Sequence, residues 1–100
     1  MRETLEYTTV EGDKKQPAIV VFSLSTCGFC KRALVFLETN HFAYSYAHLD
    51  KITLDQKTAI KKELLDEFGT AVAFPFVIFD GKEALVGFVE EEWKKKLGIA

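Results

Sequence analysis

Cys27 and Cys30 are the two cysteines of the chain, with Gly28-Phe29 between them. A thiolate is both the nucleophile of disulfide exchange and a metal ligand. A pair at this spacing therefore serves either as a redox dithiol or as half of a metal site. A structural staple is a poor explanation. A two-residue gap closes a very small loop and removes little unfolded-state entropy. Disulfide-framed secreted domains also carry more cysteines at wider spacings. A zinc site would need His41 and His48 as its further ligands. Ten residues separate Cys30 from His41, and six separate the two histidines. Zinc fingers favour about twelve and three to five. No metal site is expected, and both histidines are read as surface or loop residues.

Residues 18–23, Ala-Ile-Val-Val-Phe-Ser, are a short, continuous, β-branched apolar run. Such a run predicts a strand buried on both faces. After Cys30, the residues Ala33, Leu34, Phe36 and Leu37 recur at helical spacing, which predicts a helix over 28–39 with Asn40 as its stop. Residues 42–49 alternate and predict a second strand. Thr53 followed by Gln56 is a capping-box pair. It opens a second helix, with Ala59, Ile60, Leu64, Leu65 and Phe68 on its apolar face and Gly69 at its end. Residues 76–79 are a third strand, Asp80-Gly81 a hairpin turn, and residues 83–86 a fourth strand. A last helix runs over 90–97, acids first and lysines last, as the helix dipole prefers. Trp93 is its expected anchor.

The order β-α-β-α-β-β-α predicts a parallel first pair with a right-handed crossover, then antiparallel strands. The fold class is α/β, a four-stranded mixed sheet flanked by helices. Residues 1–17 are read as an N-terminal leader ending in a turn-rich stretch. Leu5, Tyr7 and Thr9 alternate within it and allow a short extra strand. Residues 18–100 are read as one domain.

Cys27 then falls at the start of a helix, where unpaired N–H groups and the helix dipole favour a thiolate. Lys31 and Arg32 add positive charge nearby. Cys30 lies one turn later on the same face, less exposed and within reach of a disulfide held on Cys27.

Cys27-Gly28-Phe29-Cys30-Lys31-Arg32 resembles the active site of the glutaredoxins, commonly Cys-Pro-Tyr-Cys followed by basic residues. The resemblance continues at Ala73-Phe74-Pro75, at Asp80-Gly81 and at Gly87, and covers residues 18–97. It implies a thioredoxin-like fold with sheet order 2-1-3-4, and a cis Pro75 facing the cysteines. It implies catalytic Cys27 and Cys30, and a substrate or thiol site formed by Thr26, Phe29, Phe74, Pro75, Gly87, Phe88 and Glu91. The implied activity is thiol–disulfide exchange on a disulfide-containing protein or small-molecule substrate. No tightly bound cofactor is implied. The electron donor is a low-molecular-weight thiol, glutathione or another such as coenzyme M, or else thioredoxin reductase. An iron–sulfur cluster role is the alternative, since some glutaredoxins that lack proline after the first cysteine bridge a cluster. The chain departs from the family in carrying Leu24 in place of a basic residue, Phe29 in place of tyrosine, and Gly87-Phe88 in place of Gly-Gly. Glu91 stands where an aspartate often helps hold glutathione. These differences bear on the donor and leave the dithiol chemistry untouched. Phe29, Phe74 and Phe88 belong to segments expected to converge on Cys27.

Composition excludes other classes of function. The 100 residues are 48% hydrophobic, enough for a core, and carry a net charge of -2. Nucleic-acid binding, which needs a basic footprint, is not expected. Neither is a membrane partner, since no stretch approaches the ~20 apolar residues of a span. With no apolar leader at the N-terminus, the expected location is cytoplasmic.

Overall fold

The computed structural model describes residues 1–99. A short 3-10 turn, Arg2–Thr4, precedes five strands and three helices. The strands are β1 (Thr8–Val10), β2 (Ile19–Ser23), β3 (Tyr44–His48), β4 (Phe76–Phe79) and β5 (Glu83–Val86). The helices are α1 (Gly28–Thr39), α2 (Leu54–Phe68) and α3 (Glu90–Leu97). The sheet order is β1-β3-β2-β4-β5. Counted over the four strands of the expected domain, this is the order 2-1-3-4. β2 and β3 are parallel and joined through α1, whereas β2–β4 and β4–β5 are antiparallel.

The apolar run of β2 is buried on both sides because each face of the sheet carries helices. Val21 points into one cluster with Ala33, Phe36 and Leu37 of α1 and Trp93 of α3. Phe22 points into the other, with Ile60 and Leu64 of α2. Successive strand residues face opposite ways, so one strand anchors both layers. Tyr7 and Leu5 pack against the α2 side, with the Tyr7 ring 6.1 Å from that of Phe22.

The helix ends follow local chemistry. Thr53 and Gln56 form the reciprocal capping box, with Gln56 N–H donating to Thr53 Oγ1 at 3.1 Å and Thr53 N–H to Gln56 Oε1 at 3.0 Å. Gly69 ends α2 at φ 66°, a left-handed conformation that glycine adopts without steric cost. Asn40 ends α1, its Nδ2 donating to the Phe36 carbonyl at 2.8 Å.

The first seventeen residues are fastened to the domain. β1 pairs antiparallel with β3, Thr8 opposite Tyr46, so the extra strand is present and lies on the sheet edge. Arg2 reaches Glu67 at 2.5 Å and Glu63 at 3.7 Å on α2. Further on, Lys14 N–H donates to the His41 carbonyl at 2.9 Å, and Ala43 N–H to the Lys14 carbonyl at 2.8 Å.

Candidate dithiol site

Strand register brings four chain segments to one end of the sheet. Ser23 lies opposite His48 across the parallel pair, and Phe22 lies opposite Phe76, which lies opposite Val86. Residues 24–27 leaving β2, 49–50 leaving β3, 74–75 entering β4 and 87–88 leaving β5 are therefore neighbours. Backbone hydrogen bonds tie them together. Leu49 N–H donates to the Ser23 carbonyl at 2.8 Å, and Gly87 N–H to the Pro75 carbonyl at 2.8 Å. The Phe74–Pro75 bond is cis, as the resemblance implied, and Pro75 is fully buried.

Cys27 occupies the N-cap of α1. Its N–H donates to the Leu24 carbonyl at 3.2 Å, which closes the preceding turn. Its Sγ accepts from the Cys30 N–H at 3.2 Å. Oxygen side chains usually do this work at a helix start. Here the Cys30 N–H is aimed at a sulfur instead. Both thiols are free, Cys27 half-buried and Cys30 buried. Burial, and then the neighbouring Cys27 sulfur, push the Cys30 thiol up to about 11. The Leu24 backbone and the Ser23 hydroxyl pull in the opposite direction and are outweighed. The two thiols therefore differ: the Cys27 sulfur is partly exposed with an N–H pointed at it, and the Cys30 thiol is buried one turn behind it.

Arg32, one turn beyond Gly28, holds its guanidinium 4.5 Å from the centroid of the Phe29 ring. Phe29 is 57% exposed. The segments that carry Phe29, Phe74 and Phe88 do meet at this end of the sheet, but the rings do not form one surface. Phe88 packs into the α1–α3 layer, its ring 5.5 Å from Phe36 and 5.1 Å from Trp93. Phe74 packs on the α2 side, with the Lys57 ammonium 6.0 Å from its centroid. Their backbones meet at the site end while their side chains turn to opposite faces. The sequence places them near Cys27 but carries no sign of which layer each ring joins. Gly87, at φ 79°, gives its carbonyl to the buried Trp93 Nε1–H at 3.1 Å. Thr26 is exposed in the turn, and Glu91 is exposed in the first turn of α3. The structure thus gathers Cys27, Cys30, Pro75 and Gly87, with Thr26 and Phe29 at the solvent edge.

Two residues beside the cysteines belong to no motif. Ser25 donates through its backbone N–H to Asp50 Oδ1 at 3.0 Å and through its hydroxyl to Asp50 Oδ2. These bonds hold the Asp50 carboxyl below the usual carboxylate range. Asp50 lies 23 residues beyond Cys27 in the sequence, and only the strand pairing brings it to Ser25. The other is Ser23, fully buried beside Cys30 at the end of β2. His48, within the strand expected over 42–49 and read as a surface or loop residue, ends β3 half-buried, its ring 5.1 Å from Tyr46.

A mixed sheet in this order, with a dithiol capping the first crossover helix and a cis-proline at the adjoining strand, defines a thioredoxin-like fold. The family model for Glutaredoxin matches residues 19–84. The chain belongs to the glutaredoxin family. Among solved structures, the glutaredoxin from Methanosarcina mazei Go1 superposes with a TM-score of 0.79 at 26% identity, over 95% of this chain and 90% of that one. Methanosarcina acetivorans methanoredoxin gives 0.76 at 30% identity, over 88% and 90%. A buckwheat glutaredoxin–glutathione complex gives 0.66 at 27% identity, over 84% and 73%. Curated proteins yield no sequence match. No helix among the described residues is long and apolar enough to cross a membrane.

Proposed function

We propose that the chain is a dithiol thiol–disulfide oxidoreductase. The observation that carries this is the asymmetry of the cysteines, Sγ of Cys27 capped by the Cys30 N–H at 3.2 Å while the Cys30 thiol is buried. Cys27 thiolate attacks a substrate disulfide, forms a mixed disulfide and releases one substrate thiolate. Cys30 then gives up its proton, attacks the Cys27 sulfur and releases the second substrate thiol. The products are two substrate thiols and a Cys27–Cys30 disulfide. The substrates are protein or small-molecule disulfides. They enter at the end of the sheet, with Thr26, Phe29, Phe74, Pro75, Gly87, Phe88 and Glu91 as the proposed substrate and thiol contacts, Phe74 and Phe88 through their backbones. Pro75 and the Phe74 backbone align the incoming sulfur.

Two electrons return from a low-molecular-weight thiol, glutathione or coenzyme M, or from thioredoxin reductase. The likeness to the glutathione-bound buckwheat protein supports the first. Leu24 and Phe88, where the family has a basic residue and a glycine, support the other two. The cytoplasm, where thiols are kept reduced, is the compartment in which such a dithiol turns over.

The test is to oxidise the protein, incubate it separately with each donor, and count free thiols. Cys27→Ser run alongside abolishes all exchange, and retained activity in that variant would sink the assignment. Cys30→Ser accumulates a mixed disulfide on Cys27, visible as an added mass.

A further inference from the structure

A groove of about 470 Å³ runs between α1 and α3, its α1 lining beginning at Lys31, one turn after Cys27. Its floor is Val35, Phe36 and Phe88, and its rim carries Lys31, Arg32 and Lys94. Val35, an apolar side chain in the middle of α1, is 58% exposed. Glu90 is the one carboxylate on the rim, and it pairs with Lys94 at 3.1 Å. Lys31 and Arg32 have no ion-pair partner among the described residues. Arg32 is nevertheless held in place by the Phe29 ring at 4.5 Å. The chain as a whole carries a net charge of -2, so three cations to one carboxylate run against its overall balance.

Resting on the oxidoreductase reading above, we propose that the α1–α3 groove docks an acidic, apolar segment flanking the disulfide cysteine of a protein substrate. Length supports a peptide. Lys31 stands one turn after Cys27, and the groove follows α1 from there to Asn40. That is about 14 Å at a rise of ~1.5 Å per residue, or about four residues of extended chain. A small polar thiol seated at the cations leaves the floor over Val35 and Phe36 uncovered. A peptide with aliphatic or aromatic side chains covers it while its carboxylates meet Lys31 and Arg32. Complementary charge of this kind acts on the encounter rate and on partner choice. The chemistry is the exchange already described. Cys27 displaces one sulfur of the peptide's disulfide, Cys30 releases the peptide thiol, and the Cys27–Cys30 disulfide takes up the oxidising equivalents.

The experiment uses the reduced full chain in single turnover, which needs no donor. Two peptides with one cysteine each, flanked by leucine and glutamate or by leucine and lysine, are supplied as mixed disulfides with 2-mercaptoethanol. Bis(2-hydroxyethyl) disulfide is the reference. At low ionic strength the acidic peptide is expected to oxidise the pair about tenfold faster than the basic one. The factor shrinks in high salt as rim charges are screened. Val35→Glu, an exposed position, is expected to lower the ratio of acidic-peptide rate to reference rate about fivefold. Equal rates for the two peptides overturn the proposal, as does a preference that Val35→Glu leaves intact. Dimer-sized elution of the wild type that Val35→Glu converts to monomer also overturns it, since a second copy then fills the groove. Failure of the reference itself to oxidise the pair sinks the oxidoreductase reading and takes the proposal with it. Failure of the peptides alone sinks only the proposal.

Discussion

Asp50 accepts two hydrogen bonds from Ser25, one from its backbone N–H at 3.0 Å and one from its hydroxyl, and so ties the end of β3 to the turn that carries Cys27. The Ser25 donors lower the Asp50 pKa. A carboxylate with a depressed folded pKa contributes its stability above the unfolded value of about 4, and loses it as pH falls through the folded value. The tie is therefore complete at neutral pH. Asp50→Ala is expected to slow single-turnover oxidation of Cys27 severalfold through a loosened turn. Stopped-flow rates at pH 7 check this, and a rate equal to wild type removes Asp50 from the positioning of the nucleophile.

The cysteines are expected to label unequally. Cys30 is buried and its pKa raised to about 11, by burial first and the Cys27 sulfur second. Iodoacetamide at pH 8 is expected to add one label to the native reduced protein and two in denaturant, read by intact mass. Folding keeps the Cys30 proton on at pH values where the unfolded thiol has lost it. The stability this gives is full below about pH 9 and is lost as pH climbs toward the folded value. Thermal melts of the reduced protein from pH 8 to 10.5 are expected to fall, and to fall less in Cys30→Ala.

Trp93 is fully buried, and its Nε1–H donates to the Gly87 carbonyl at 3.1 Å, on the loop whose N–H binds Pro75. Trp93→Phe keeps an aromatic ring against Phe36 and Phe79 but removes that donor. The lost hydrogen bond and the space left by the smaller ring are expected to cost about 2 kcal/mol together. Urea unfolding measures it, and a change under about 0.5 kcal/mol contradicts the anchoring role.

Gly12 has a steric requirement that its place in a turn-rich stretch does not announce. A Cβ built there lies 2.5 Å from the Phe42 carbonyl carbon and 2.6 Å from the Ala43 nitrogen. These are backbone atoms, fixed by the bonds that Lys14 makes to His41 and Ala43. Gly12→Ala is expected to destabilise the protein by about 1–3 kcal/mol, as overpacking does. Denaturant melts compared with Gly81→Ala provide the contrast, since nothing lies within 4 Å of the Cβ position there and that glycine is constrained only by φ 69°.

Much of this protein was legible in local sequence because the signals are short-range. The helix over Gly28–Thr39, the Thr53–Gln56 capping box, the turn at Asp80 and Gly81 and the stop at Gly69 each depend on residues within about one turn of each other. The cysteine pair was legible for the same reason, since three residues along a helix start set one sulfur on the cap and the other behind it. The parallel first pair follows from the order strand, helix, strand. The sheet order and the cis Pro75 entered through the family resemblance. The short edge strand was readable only as an alternation, because its pairing partner lies 36 residues away at Ser45.

Local sequence carries the helices and main strands, their order, and the cysteine pair at a helix start. What surrounds that pair depends on the closed sheet. Tertiary structure brought Asp50 to Ser25, turned Phe88 and Phe74 to opposite layers, set Gly12 against the backbone of Phe42, and left Val35 bare between two helices. Each of these joins or separates residues through strand register or helix packing. Hydrophobic pattern states that a residue is buried or amphipathic, but it carries no address for the partner, and that address exists only once the sheet has closed in its register.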